Sequence, residues 1–216
     1  SIPELPNYKN FTQKQFLEEL KNILDITNPV ERGVEERISL EEIAGNYVFT
    51  ADNFVKMALI LLRIRSNIPV IMMGETGCGK TSLIRKLSEL KNNGNGDKMK
   101  ILNIHAGTTD KDIIDFITNK VLDEACDLAI KEVERKFEYI QRGQLFEEKK
   151  IWVFLDEINT CKSMGLISEL MCKHTYQGNE LPSNVVFIAA CNPYRQRVYK
   201  GKEKVGLNIN QAHQQK

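Results

Sequence analysis

Eight residues in the first half of the chain have the types and the spacing of a phosphate-binding loop. They read GETGCGKT over positions 74–81 and fit the pattern GxxxxGK[ST]. The glycines let successive backbone N–H groups point into one concavity, and the lysine reaches the β- and γ-phosphates of a nucleotide. The threonine hydroxyl suits Mg²⁺ as a ligand. The pattern therefore predicts nucleotide and Mg²⁺ binding, with an accidental glycine-rich turn as the alternative.

The segments on either side of this loop are those that a phosphate site requires. The apolar run PVIMM precedes it and the helical segment SLIRKLSEL follows it. A helix that begins at the loop turns its positive dipole end and its free N–H groups towards the same anion. This placement favours a functional loop over an accidental turn. The expected binding residues are Gly74, Glu75, Thr76, Gly77, Cys78, Gly79, Lys80, Thr81 and Ser82.

A second apolar run ends in two carboxylates. Residues 151–155 predict a buried strand, and Asp156 and Glu157 follow it directly. An acidic pair can simply end a strand, but beside a phosphate loop the two groups have distinct tasks. We expect Asp156 to hold Mg²⁺ or its water ligands together with Thr81. Glu157 is then expected to orient and polarise the water that attacks the γ-phosphate.

A third apolar run, over residues 185–191, is followed by Asn192 and Pro193. The carboxyl ends of parallel strands meet at one edge of a sheet, so Asn192 is expected near the two carboxylates. Its amide can hydrogen-bond the attacking water or the γ-phosphate. Asn-Pro is also a common turn opener, and the assignment depends on the other two motifs. The predicted catalytic residues are therefore Glu157, Lys80 and Asn192, and the predicted metal ligands are Thr81 and Asp156.

The elements that must position these residues follow an α/β pattern. Short apolar runs alternate with helical stretches, which predicts a parallel sheet flanked by helices. The runs cover residues 70–73, 101–105, 151–155 and 185–191. Helices are predicted over 12–25, where Thr12 and Gln15 have capping-box spacing, and over 51–65, with Thr50 as N-cap.

The stretch from 109 to 141 predicts one or two further helices. Its apolar stripe consists of Ile113, Phe116, Ile117, Val121, Ala125, Leu128 and Phe137. Between residues 131 and 150, six basic residues are matched by five glutamates, and Glu132 lies four residues before Lys136. This balance favours a solvated helix face.

Composition excludes several classes of protein. With 216 residues, 42% of them apolar and 27% charged, the chain is neither disordered nor collagen-like nor a coiled coil. A formal net charge of +1 argues against direct binding to nucleic acid. The five cysteines are odd in number and widely spaced, which favours a reducing compartment, so we expect a cytoplasmic location. Charges and Pro69 interrupt the most apolar stretch, and no membrane-spanning segment or secretory signal is predicted.

The three motifs together resemble the Walker A, Walker B and sensor elements of AAA+ ATPases. More narrowly, GETGCGKT, FLDEINT and IAACNPYR are similar to those of mysterin-like giant RING-type E3 ubiquitin ligases, over residues 48–197. The resemblance implies a P-loop NTPase core that couples Mg²⁺-dependent ATP binding and hydrolysis to conformational change. It implies neighbouring AAA modules of the same polypeptide as partners, and ubiquitin-pathway proteins reached through a region outside this chain. A regulatory module that holds ATP without turnover, or another P-loop NTPase such as a small-molecule kinase, remains an alternative.

The sequence pattern and the resemblance together suggest how the chain is divided. Asn28-Pro29, Gly33 and Gly45 interrupt the helical pattern, so residues 1–46 are expected to be an N-terminal linker with a helical extension. Residues 47–216 are expected to be part of the large α/β subdomain of an AAA+ module, incomplete at the C-terminus, without its fifth strand and lid. An arginine finger normally comes from a neighbouring module, so Arg195 and Arg197 receive no such role.

Four weaker candidates have structural explanations at least as good as functional ones. His105 could transmit nucleotide state or simply end a strand. Cys78 could be sensitive to alkylation or fill space in the loop. Residues 47–49 could cradle adenine or pack beneath the extension. The basic residues between 195 and 204 could touch nucleic acid, but a solvated loop is the preferred interpretation.

Overall fold

A computed structural model of the chain describes residues 7–24, 39–92, 94, 96–141 and 149–193. Strands and helices alternate through most of these ranges. The strands are β1 (Val70–Met73), β2 (Met99–Asn103), β3 (Ile151–Asp156), β4 (Thr175–Tyr176), β5 (Asn179–Glu180) and β6 (Val185–Cys191). The α-helices are α1 (Gln13–Ile23), α2 (Leu40–Ala44), α3 (Ala51–Arg65), α4 (Lys80–Lys91), α5 (Asp110–Ile117), α6 (Asp123–Gln141) and α7 (Met164–Ser168). One π-helical turn follows α5 and another follows α7.

Four strands form a parallel sheet in the order β1-β6-β3-β2, which confirms the predicted α/β class. The register pairs Met73 with Cys191 and Asn103 with Asp156. The carboxyl ends of β1, β3 and β6 therefore lie side by side at one edge. Within the described ranges, no strand pairs with the outer edge of β1. The short hairpin of β4 and β5 forms a second, antiparallel sheet that the sequence did not predict.

The sheet separates two buried clusters, because successive strand residues point to opposite faces. In β3, Trp152 and Phe154 pack with α1, α2, α3 and α4 on one face. Val153 and Leu155 pack with α5, α6 and α7 on the other. All are at most 1% exposed, so the strand that carries the two carboxylates is held on both sides. None of the helices in the described ranges combines the length and the apolar character that a membrane crossing needs.

Helix α1 belongs to the same buried cluster as α3 and α4. The predicted capping box is present, with Thr12 accepting from the Gln15 N–H and the Gln15 side chain accepting from the Thr12 N–H. Leu20 is fully buried in the cluster. The Gln13 side chain accepts from Phe49 N at 2.7 Å and donates to Phe49 O at 2.8 Å, as a neighbouring strand would. Residues 12–24 are thus packed onto the sheet-bearing unit.

Helix α6 differs from the sequence expectation at two positions. Phe137 was expected in the buried stripe but is 64% exposed. Glu132 was expected on a solvated face but is only 4% exposed, and its carboxylate accepts from Lys149 N at 3.2 Å. Glu132 occupies the core-facing position four residues after Leu128, where it meets the N–H group of Lys149, two residues before β3. An apolar stripe alone does not reveal such a contact.

Glu124, at the start of α6, forms ion pairs with Lys98 at 2.6 Å and Lys100 at 2.7 Å. These pairs fix α6 to the edge strand β2 and to the turn before it. Burial by itself raises the pKa of the Glu124 carboxyl, but the hydrogen bonds from Lys100 and Lys98 outweigh it and lower that pKa below its ordinary value.

The integration of α1 predicts the effect of Leu20→Ala on unfolding. Removing a fully buried leucine side chain should lower the free energy of unfolding by about 2–5 kcal/mol. The measurement is urea unfolding followed by the fluorescence of Trp152, the single tryptophan, which lies in β3. The exposed neighbour Lys14→Ala is the control. If α1 were a separate unit, the Trp152 transition would be the same in both variants.

The lowered pKa of Glu124 predicts a pH dependence. A carboxylate with a depressed folded pKa stabilises fully above its ordinary pKa, and the stabilisation is lost as the pH falls through the folded pKa. Glu124→Gln should therefore be less stable than the wild type at neutral pH, and the difference should shrink in acid. Urea unfolding at the two conditions measures it, with the exposed Glu180→Gln as control. If the difference in unfolding free energy between the wild type and Glu124→Gln did not change with pH, the stabilising role of the two ion pairs would be contradicted.

Candidate nucleotide-binding site

The loop that begins at Gly74 leaves the sheet where β1 meets β6. Gly74 N donates to Cys191 O at 3.2 Å, which continues the strand pairing by one residue. Gly77 and Gly79 have φ angles of +82° and +85°, in the region that favours glycine. A side chain at either position would meet no atom within 4 Å, so backbone freedom explains these glycines and space does not. Leu83 N then bonds Gly79 O at 2.9 Å in the first turn of α4.

The Lys80 ammonium group lies in the mouth of this loop. Its Nζ donates to Gly74 O at 2.6 Å, to Glu75 O at 3.1 Å and to Asn192 Oδ1 at 3.1 Å. An ammonium group has three N–H donors, so the protein itself supplies one acceptor for each. All three acceptors are neutral. An anionic phosphate oxygen is a stronger acceptor for the same donors and can replace them.

Thr81 and Asp156 meet across the edge of the sheet. Thr81 Oγ1 donates to Asp156 Oδ2 at 3.1 Å, although 75 residues separate them in the sequence. Both side chains offer oxygen atoms, the ligand type that Mg²⁺ prefers. Among the described residues, no group of three or more histidine, cysteine, aspartate and glutamate side chains could enclose a metal ion. The pair therefore fits Mg²⁺ bound mainly through phosphate and water, the usual arrangement for this ion.

Asn192 connects the lysine to Glu157 through its side-chain amide. Its Oδ1 accepts from Lys80, and its Nδ2 donates to Glu157 Oε1 at 3.1 Å. The two ends of one neutral amide thus face a positive and a negative group. Glu157 has φ +59° and ψ +37°, a left-handed conformation that is uncommon for a residue with a side chain. The structure thus brings Lys80, Asn192 and Glu157 into one hydrogen-bonded chain.

Two neighbours of Glu157 in the sequence also contact the site, and the motif analysis gave them no role. Asn159 Oδ1 accepts from Asn192 N at 3.3 Å. Thr160 Oγ1 donates to Glu157 O at 2.9 Å. The signal that could have found them is their position directly behind the carboxylate pair, where short polar side chains reach the backbone.

Four of the remaining predicted binding residues have exposed side chains, and one of them, Ser82, lies in the first turn of α4. The other three are Glu75, Thr76 and Cys78. His105 forms a local turn in which its N–H donates to Thr108 Oγ1 at 3.0 Å and its Nδ1 accepts from Gly107 N at 3.1 Å. These contacts account for His105 as a strand-end residue.

Tyr47 packs edge-on against Phe49, with ring centroids 5.0 Å apart. Burial raises the pKa of its phenol. The segment is also bonded to Gln13, so aromatic packing beneath α1 explains it. The basic residues from 195 to 204, including Arg195 and Arg197, lie outside the described residues.

The comparisons with known proteins agree with the resemblance seen in the motifs. The family model described as the RNF213 AAA domain matches residues 47–195. The E3 ubiquitin-protein ligase rnf213-beta of Danio rerio is 39% identical over 157 residues, which cover 71% of this chain and 3% of that protein. The human E3 ubiquitin-protein ligase RNF213 is 40% identical over 152 residues, 69% of this chain and 3% of that protein. The chain thus spans about 3% of the length of these relatives.

A solved structure of C. elegans PCH-2 has a TM-score of 0.41 and 16% sequence identity, and the match covers 74% of this chain and 42% of that one. A superposition this loose supports no conclusion. The family model, by contrast, covers more than half of the chain and includes the loop, the carboxylate pair and Asn192. The chain belongs to the RNF213 AAA-domain family.

Proposed function

We propose that this chain is an AAA+ module that binds ATP with Mg²⁺, hydrolyses it, and couples these steps to conformational change. The observation that carries the proposal is the hydrogen-bonded chain from Lys80 through Asn192 to Glu157. It joins the phosphate-binding loop, the end of β6 and the end of β3, which lie far apart in the sequence. A packing role would not require an ammonium group, an amide and a carboxylate to converge at one edge.

Binding is assigned to the loop and to Lys80. The backbone N–H groups of residues 74–81 and the start of α4 favour an anion. Lys80 exchanges its neutral protein acceptors for phosphate oxygens, and this exchange favours binding because it pairs the ammonium charge with an anion. Thr81 and Asp156 are the proposed Mg²⁺ ligands. The ion would supply charge neutralisation between the phosphates.

Hydrolysis is assigned to Glu157 and Asn192. Glu157 is the proposed group that orients and polarises the attacking water and accepts its proton. Asn192 is the proposed sensor of the γ-phosphate, because its side-chain amide contacts both Lys80 and Glu157. When Lys80 turns to phosphate, Oδ1 of Asn192 loses its donor, and the amide is free to reorient. Asn192 thereby links the state of the nucleotide to the position of Glu157.

The whole polypeptide is proposed to be an E3 ubiquitin ligase, because the curated relatives carry that name. A cytoplasmic location is proposed from the odd number and wide spacing of the cysteines. The chain spans only about 3% of their length, so the transferase activity is assigned to a region outside it. Neighbouring AAA modules of the same polypeptide are the proposed partners of this module, and ubiquitin-pathway proteins are proposed partners of the parent.

Nucleotide binding predicts a thermal shift that depends on Lys80. With a micromolar dissociation constant, millimolar ATP or ADP with Mg²⁺ should stabilise the chain by about 4 kcal/mol, a shift of about 8–16 °C at this size. Lys80→Ala should abolish most of the shift, because the ammonium group that pairs with the phosphates is gone. Thermal unfolding with and without nucleotide measures it. The control is Lys56→Ala on α3, whose ammonium group pairs with Asp52. Equal shifts in all three proteins would contradict the assigned site.

The assignment of Glu157 predicts that Glu157→Gln separates binding from turnover. In the parent polypeptide, phosphate release should fall by about 10²–10⁴-fold, the usual contribution of a general base, while ATP affinity is kept. The exposed Glu180→Gln serves as the matched control. Undiminished phosphate release would remove Glu157 from the mechanism. A wild-type parent that binds ATP and releases no phosphate would instead identify a regulatory module without turnover.

A further inference from the structure

The turn that follows the carboxylate pair holds Glu157 in an unusual backbone conformation. Glu157 is one of four non-glycine residues with positive φ in the described part of the chain. The left-handed conformation costs about 1–2 kcal/mol for an L-residue, so neighbouring contacts must maintain it. A short 3₁₀ turn, Ile158–Thr160, begins immediately after it. Asn159 and Thr160 are both exposed, so packing does not explain their side-chain contacts.

Thr160 fixes the carbonyl group of Glu157. Its hydroxyl donates to Glu157 O at 2.9 Å and its backbone N–H donates to the same oxygen at 3.0 Å. The hydroxyl also lies 3.4 Å from Ile104 O, at the end of β2. Ile104 N in turn bonds Asp156 O at 3.0 Å. Thr160 therefore closes a loop of contacts that fixes the peptide groups on both sides of Glu157.

Asn159 fixes the backbone of Asn192. Asn192 follows Cys191, the last residue of β6, and the pairing of β6 with β3 ends at Ala189, so the Asn192 N–H group lies outside that ladder. Asn159 Oδ1 accepts from this N–H at 3.3 Å. The Asn192 side chain then extends to Lys80 and Glu157. A change at Asn159 would thus move the amide that both groups contact.

We propose that Asn159 and Thr160 are positioning residues, which hold Asn192 and Glu157 in the one geometry that hydrolysis requires. The proposal rests on the proposed function of the site. Neither residue needs to touch the nucleotide. Thr160 sets the backbone from which the carboxylate projects, and Asn159 sets the backbone from which the amide projects. The three-residue turn thus makes the water-polarising carboxylate and the phosphate-facing amide a single unit.

The decisive variant is Thr160→Val, which keeps the shape of the side chain and removes the hydroxyl. In the parent polypeptide, kcat should fall by about 10- to 100-fold through misplacement of Glu157. ATP affinity and the midpoint of thermal unfolding should stay close to wild type. Thr160→Ser restores the hydroxyl and should restore kcat. Thr118→Val is the matched control, because it removes a hydroxyl that bonds Tyr176 OH instead, at 2.7 Å.

A second measurement does not depend on turnover. In the nucleotide-free chain, Asn159→Ala should speed hydrogen exchange of the backbone N–H of Asn192 by about 3- to 10-fold. The reason is that this N–H loses its acceptor, Asn159 Oδ1. NMR of the labelled chain resolves this amide. Asn179→Ala, at an exposed position of the β4–β5 hairpin, should leave it unchanged.

The outcomes separate this proposal from the function on which it rests. Wild-type kcat in Thr160→Val, or unchanged exchange in Asn159→Ala, overturns the proposal. A fall in kcat accompanied by an equal loss of ATP affinity or of folding stability also overturns it, since that indicates a structural role. A parent without ATP turnover overturns the proposed function alone, and the exchange experiment then still tests the contact to Asn192.

Discussion

The position of β6 between β1 and β3 is the constraint on which the candidate site depends. Each of these strands ends in a different functional segment, and only their parallel pairing in this order brings the three ends together. The pairing is stable because β6 is buried along its whole length and β3 along all but its last residue. A slip of one residue in either register would turn the buried side chains to the wrong face and would separate Asn192 from Glu157. The packing of the core therefore sets the distances between the candidate functional groups at the ends of these strands.

Much of this arrangement follows from the sequence. The loop, the two carboxylates and the asparagine stand directly behind apolar runs, and parallel pairing brings the ends of such runs together. The helix N-caps at Thr12 and Thr50 were also predicted correctly, because a capping side chain acts on residues three positions away. Helix caps depend on residues a few positions away, and buried strands depend on one run of apolar residues. Both can therefore be predicted from the sequence alone.

The rest depends on contacts between distant segments. The burial of Glu132 goes with its contact to the N–H group of Lys149, 17 residues further along the sequence, and no local pattern encodes that contact. Phe137 extends an apolar periodicity beyond the end of the core, so the period alone could not show where burial stops. The contact of Asn159 with Asn192 joins residues 33 positions apart and exists only because two strands end side by side. In each case the burial or the contacts of a side chain depend on where segments distant in the sequence lie in the fold.

The paired hydrogen bonds between the Gln13 side chain and Phe49 have a mechanical consequence. Two bonds in parallel resist shear together, so they couple α1 to the segment that enters α3. Helix α3 leads directly into β1, and β1 into the glycine loop. A rotation of α1 relative to the sheet would therefore strain the peptide groups of the glycine loop. In the opposite direction, ordering of the loop would stiffen the attachment of the N-terminal helix.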